Sequence, residues 1–423
     1  MFVTSISNIS IRVFSILLIL LLNVQLTRAL GPEGFGVLAF TLAWVQLAAV
    51  FVQFGLPEAL LRRAATAAAG ESNLRSDVGS SLVLMLLLWG AVLASFSLSS
   101  LTLGEPLGGY ALAVPSLLLV PLLALGPVFA GVLRGLGSAV TSQLAEQILR
   151  PALYCTALAA VTLTGAEIFP ADATWLQALT TAIAVAGGAT FLLRKLPSTG
   201  APVSVRPIQQ GLLALPFFSL TLAYGMSAHL PVILLGQLVN DTDIAMYRIG
   251  VQLADAFNIV LIGISVTIGP SIAINHANGD KENLQKILVK AHRIAVATIL
   301  GPIIILLWVG DEILIFLFGP PFAPAYEPLA ILLVGKLLYA GVSFSGLVLT
   351  MSGNATLASK ISLTTLGLNL LSLPMIVTEV GYVGAAVSGA IASLACNVAF
   401  TVHIARTSRI DISIFGLKPR EGE

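Results

Sequence analysis

The sequence predicts an all-α polytopic membrane protein of about twelve transmembrane helices, arranged as two parallel-related six-helix halves. Three observations predict it. Of its 423 residues 57% are hydrophobic and only 10% charged, with mean hydropathy +0.98; a soluble domain carries about 25% charged residues. Apolar stretches of roughly 20 residues, each long enough to cross about 30 Å of hydrocarbon, recur along the whole length. Lysine and arginine collect in alternate connecting segments.

The spans centre on about residues 20, 47, 89, 121, 157, 184, 224, 260, 301, 338, 366 and 392. The first apolar run, 11–30, has no small-residue cleavage site and leads straight into the second span, so no removable signal is expected. Prolines 115, 121 and 127 step through the fourth span, and Pro216, Pro231, Pro270, Pro302 and Pro374 mark others. Proline loosens a helix ladder, which suits either static kinks or the bends of a moving bundle. With a cytoplasmic N-terminus, the cytoplasmic segments hold all of the 21 Lys and Arg except Arg28, Arg248 and Lys336. Glu33, Glu105, Glu167, Asp172, Asp241, Asp243, Asp311, Glu312, Glu327 and Glu379 fall on the other side. The positive-inside rule therefore sets the orientation, and an even span count returns the C-terminus to the cytoplasm. The stretch 279–295 reads as an amphipathic basic segment against anionic lipid. Glu58 with Arg62 and Glu146 with Arg150 read as solvated i, i+4 pairs.

Aligning "GVLAFTLAWVQLAAVF" (36–51) with "AMYRIGVQLADAFNIV" (245–260) sets Gln46 opposite Asp255 and hints at a duplication. The expected organisation is a first bundle 1–195, a cytoplasmic linker 196–211, a second bundle 212–405 and a cytoplasmic tail 406–423. In transporters built this way the binding site lies between the halves near mid-membrane. Cys155 and Cys396 sit inside apolar runs and suggest neither a disulfide nor a metal site. No zinc-type cluster, phosphate-binding loop or GxSxG elbow occurs, and neither a cofactor nor a nucleic-acid partner is expected.

The segment "LGPEGFGVLAFTLAWVQLAAVFVQFGLPEALLRR" (30–63) carries an LGPE-x-(F/Y)-G turn, a long apolar helix and a Gly-x-x-x-Ala-(Leu/Val)-x-Arg exit from Gly55 to Arg62. It resembles the first hairpin of the polysaccharide-transport family within the MOP flippase superfamily. "VLRGLGSAVTSQLAEQILRP" (132–151) is similar to that family's link between spans 4 and 5. The second half departs from the pattern, with "QLVNDTDIAMY" (237–247) in place of an LGP-type turn. The resemblance implies a MATE-like, V-shaped transporter of the bacterial inner membrane. It would move a polyprenyl-(pyro)phosphate-linked oligosaccharide to the outer leaflet for O-antigen, capsule or exopolysaccharide export. It further implies alternating access coupled to a proton or sodium gradient, contact with membrane lipids and a polysaccharide polymerase, and a monomeric state.

Arg28, Arg248 and Lys336 fall in the outer halves of spans 1, 8 and 10. A charge in hydrocarbon costs about 2.5 kcal/mol or more, so such residues face a protein interior or a wet cavity, or else snorkel. As a set they suit an anionic headgroup: arginine offers a planar fork to phosphate oxygens and lysine a point charge. Asp255 lies two turns after Arg248 on one helix face, and either carries a proton or partners Arg248 or Lys336. His229 is a second candidate proton carrier, or a packing residue. Asn23, Gln25, Gln46, Gln53, Tyr224, Tyr339 and Ser343 are expected to line the glycan path, although the same groups also glue helices together in lipid. The rival function is a multidrug or organic-cation antiporter of the same superfamily, which needs acids in the cavity. Three cations against one acid favour an anionic substrate. An enzyme is not expected, since lipid–sugar chemistry normally needs a sizeable loop or domain outside the membrane.

Overall fold

The computed structural model describes residues 2–67, 73–103, 109–196, 204–408 and 410–416, and no strand occurs among them. Glu105, Arg409, Lys418 and Arg420 of the charge pattern, residues 197–203 of the linker and 417–423 of the tail lie outside the described residues. The helices are α1 Phe2–Gln53, α2 Leu56–Ala67, α3 Leu74–Leu103, α4 Gly109–Gly135, α5 Ala139–Gln143, a π-helical turn Leu144–Leu149, α6 Arg150–Leu163, α7 Pro170–Lys195 and α8 Pro207–Leu235. Then follow α9 Asp241–Asp255, α10 Asn258–Ala277, α11 Lys281–Phe318, a 3-10 turn Pro320–Ala325, α12 Tyr326–Ala340, α13 Ser345–Met351, α14 Ala355–Val380 and α15 Tyr382–Ser408.

Among the described residues nine helices are long and apolar enough to cross a membrane, and the pair 207–219 and 221–235, bent by 56°, makes ten. The twelve expected crossings are recovered from two further facts. The first of the nine, Ser10–Thr66, has 57 residues, about 85 Å at 1.5 Å per residue, far more than one crossing needs. It breaks at Gly31 (φ 67, ψ 179), a conformation that only glycine adopts readily, and Pro32 starts the second arm. The other crossing, 139–163, runs without a gap through α5, the π turn and α6.

Two compact units divide the described chain, Met1–Ile233 and Leu234–Glu423. In the first, α4 is central: 61% of its apolar window is buried, against 11% for α3. Its neighbours are α1, α2 and α7. The core between them is built from Val52, Leu56, Leu60, Leu119, Val128 and Leu133, all almost fully buried. Most of α8, which the sequence places after the linker, falls in this unit. It packs on the end of α1, where Phe54 (φ 48) stacks on Phe218 with ring centroids 4.3 Å apart. Gly55 (φ +70) lets the backbones meet, since a Cβ there would lie 2.5 Å from the Phe218 nitrogen.

The second unit joins α9 to α12, α12 to α15 and α14 to α15. Two polar pairs meet across its helices: Ser345 Oγ with Thr401 Oγ1 at 2.7 Å, and Ser388 Oγ donating to Asn369 Oδ1 at 2.6 Å. Such pairing satisfies polar groups where lipid offers no alternative. The basic stretch 279–295 is not a separate surface segment: α11 starts at Lys281 and continues to Phe318.

Candidate functional site

The eighth and tenth spans are both discontinuous, and the breaks build the site. The α-helix α9 stops at Asp255, and α10 starts at Asn258. Between them the ladder tightens to i→i−3 bonds: the N–H groups of Phe257, Ile259 and Val260 donate to the carbonyls of Ala254, Ala256 and Phe257 at 3.2–3.3 Å. Helix α12 stops at Ala340, and α13 starts at Ser345. Gly341 and Val342 donate to Leu338 and Tyr339, again three residues back. Non-helical backbone inside a span is tolerated only where protein or water satisfies it.

The second break is stapled from outside its own helix. The Phe344 N–H donates to Nε2 of His292 at 3.2 Å, and the Ile414 N–H donates to the Gly341 carbonyl at 3.0 Å. His292 is fully buried, with its ring 4.8 Å from that of Phe344. Because Nε2 accepts, the ring is neutral and its proton sits on Nδ1. Replacing His292 by leucine strands the Phe344 N–H. The expected cost is about 1–3 kcal/mol of stability, read as a lower unfolding midpoint in detergent, with partial rescue by His292→Gln.

Lys336 lies one turn before this break. Its Nζ donates to Asp255 Oδ1 and to Asn258 Oδ1, both at 2.9 Å, and Asn258 Nδ2 donates to Asp255 Oδ1 at 3.0 Å. The ammonium is also 5.9 Å from the Tyr339 ring centroid, within cation–π range. It stands at the C-terminal end of α9, where the helix dipole favours a cation. The ammonium side chain is mostly covered (21% exposed), whereas its acid partner is open (53% exposed). Arg248, half-buried two turns earlier on α9, feels the charge of Asp255. Two cations therefore bear on one acid at a pair of helix breaks.

The structure thus brings Lys336, Asp255 and Tyr339 together, with Arg248 alongside, and adds Asn258. Asp255 is held by Lys336. Ser343 lies in the break itself and donates to the Ala340 carbonyl at 3.3 Å. The other expected residues belong to the first unit. Arg28 is exposed beside the Gly31 break, and Tyr224 is 71% exposed on α8. Asn23 Nδ2 donates to its own helix, at the Ile19 carbonyl (2.6 Å), and the Gln25 Oε1 is buried without a hydrogen bond. Gln53 Nε2 reaches the Leu123 carbonyl of α4 at 3.4 Å; Gln46 and His229 are half-buried. No group of three or more His, Cys, Asp or Glu residues placed to hold a metal ion occurs among the described residues.

A family model described as polysaccharide biosynthesis protein matches residues 3–276. This chain belongs to that family. No curated protein sequence matches it. Among solved structures it is similar to a multidrug resistance MATE family transporter of the MOP superfamily in an inward-facing conformation. That likeness has TM-score 0.76 and 15% identity, and covers 96% of this chain and 98% of the other. It is similar to the lipid II flippase MurJ in an inward closed conformation, with TM-score 0.71 and 13% identity over 96% and 87% of the two chains. A third is a MOP superfamily transporter from Pyrococcus furiosus, reported with a binding pocket of reverse polarity that suggests a different function. The values there are 0.65 and 14%, over 96% and 95%. These likenesses establish the fold of this polysaccharide biosynthesis family member as that of the MOP transporters, a multi-pass helical membrane protein.

Proposed function

We propose that the chain is a flippase for a polyprenyl-(pyro)phosphate-linked oligosaccharide in the bacterial inner membrane, with both termini cytoplasmic and alternating access driven by an ion gradient. The family assignment supports a role in polysaccharide export. The observation that carries the substrate class is Lys336, a covered ammonium held at two helix breaks with Arg248 nearby. Two cations and one acid leave a net charge of +1, which attracts an anion and repels an organic cation. A lysine has three donors, and Lys336 spends two on Asp255 and Asn258. An entering phosphate takes the third donor and then displaces Asp255, whose exposed carboxylate swings into water at little cost. The exchange is reversible, as a carrier requires: a cation with no internal acid would hold its cargo. Arg28 is proposed as a further headgroup contact. Gln25, Gln46, Gln53, Tyr224 and Ser343 are proposed to face the glycan.

Mass spectrometry of lipid-linked glycans tests this in a strain lacking the protein and any redundant flippase. A completed, untranslocated lipid-linked oligosaccharide is expected to accumulate, and wild type is expected to clear it. Absence of accumulation would overturn the substrate class and favour the organic-cation antiporter.

A further inference from the structure

A second built site lies in the first unit, where α4, α5, the π turn and α7 close on one another. Pro151 has no N–H to offer the Gln147 carbonyl, and the chain preceding it takes an extra residue into its turn. The Arg150 N–H accordingly bonds to Ala145, five residues back. This turn presents Glu146 to a small cavity of about 20 Å³, also lined by Ser142, Arg150 and Thr181. Such a volume holds about one water molecule. The Glu146 carboxyl carbon lies against α4 at Gly126, 3.9 Å from where a Cβ would stand. Leu122, Leu123, Phe129 and Val185 make the walls apolar.

Two observations point to a ligand here. Thr181 is 1% exposed and its hydroxyl has no hydrogen-bond partner, although it lines the cavity. A buried hydroxyl left in that state costs about 1–3 kcal/mol unless something serves it. Glu146, for its part, is in none of the ion pairs within 4.0 Å among the described residues. Arg150 on its own helix and Arg134 on α4 act on its charge, but Arg134 is exposed and turns its Nε to the Ala130 carbonyl at 3.3 Å. The faces of α5 and α7 that line the cavity bring no titratable group.

We propose that Glu146 is a proton-exchange site. When protonated, its carboxyl occupies the cavity and donates to the Thr181 hydroxyl, directly or through one water. When ionised, it turns to Arg150, and the proton returns to water at the cavity mouth. One carboxyl and two hydroxyls beside two guanidinium groups make a poor cage for a metal cation, which wants about six oxygen ligands. A proton needs only one acceptor. The site belongs to the first unit and Lys336 and Asp255 to the second, and it does not depend on which substrate the chain carries.

Infrared difference spectroscopy of the purified full chain in lipid tests this, with titration from about pH 5 to pH 9. The expected result is a protonated-carboxyl C=O band that disappears as pH rises and is absent from Glu146→Gln. In Thr181→Val, nearly the same shape without the hydroxyl, the band is expected to persist but move to higher wavenumber, and Thr181→Ser should restore it. A titrating band that survives in Glu146→Gln, or one unmoved by Thr181→Val, would overturn the proposal. So would a carboxyl band that responds to sodium at fixed pH but not to pH.

Discussion

Replacing Lys336 by alanine is expected to lower the rate of lipid-linked glycan translocation by about 10- to 100-fold at equal protein level. That range corresponds to one charge-assisted hydrogen bond, about 1.5–3 kcal/mol. The substitution removes the covered ammonium and takes the local balance from +1 to 0, with Arg248 and Asp255 left to cancel. Lys336→Arg is not a conservative control: the longer planar fork must fit the two acceptors that Nζ now reaches at 2.9 Å. Asp255→Asn separates binding from turnover. With its acid partner neutral, Lys336 should hold an anion several-fold more tightly, yet release it more slowly, so affinity rises while rate falls. If both variants weaken binding equally, Asp255 contributes to the fold of the break and not to exchange. Initial rates and binding, measured on the same preparations, decide between these.

Gly55→Ala is expected to destabilise the first unit by about 3 kcal/mol. Two costs add: a non-glycine residue in the left-handed region, about 1–2 kcal/mol, and overpacking, about 1–3 kcal/mol. The overpacking is against backbone, which cannot rotate away. The added Cβ would stand 2.5 Å from the Phe218 nitrogen and 2.8 Å from the Ala214 carbonyl oxygen. The break after Gln53 depends on this close approach, so the loss should appear as a lower unfolding midpoint in detergent, together with poor membrane accumulation. An unchanged midpoint would contradict the close approach of Gly55 to α8.

Much of this architecture was legible in the residues, because lipid leaves the backbone few choices. The apolar runs become helices, Gly31–Pro32 becomes the first turn, and the out-of-place Lys336 does find the only acid expected near it, Asp255. What was not legible traces to geometry that a regular period hides. Glu146 and Arg150 read as an i, i+4 surface pair, but in a π turn residues four apart no longer stack, and Pro151 was the available signal. His292 reads as part of a basic amphipathic stretch, because its acceptor role depends on a break about fifty residues later. The grouping of α8 with the first unit follows from Gly55 meeting Phe218, a contact across the linker that periodicity cannot register.

The central claim is that the Lys336 site receives an anionic lipid headgroup. Thermal unfolding of the purified chain in detergent, with and without a polyprenyl pyrophosphate, tests it most directly. The pyrophosphate lipid is expected to raise the wild-type midpoint by several degrees and to leave Lys336→Ala unmoved, while tetraphenylphosphonium raises neither. Equal stabilisation of both proteins by the pyrophosphate lipid, or stabilisation of wild type by the organic cation instead, would contradict it.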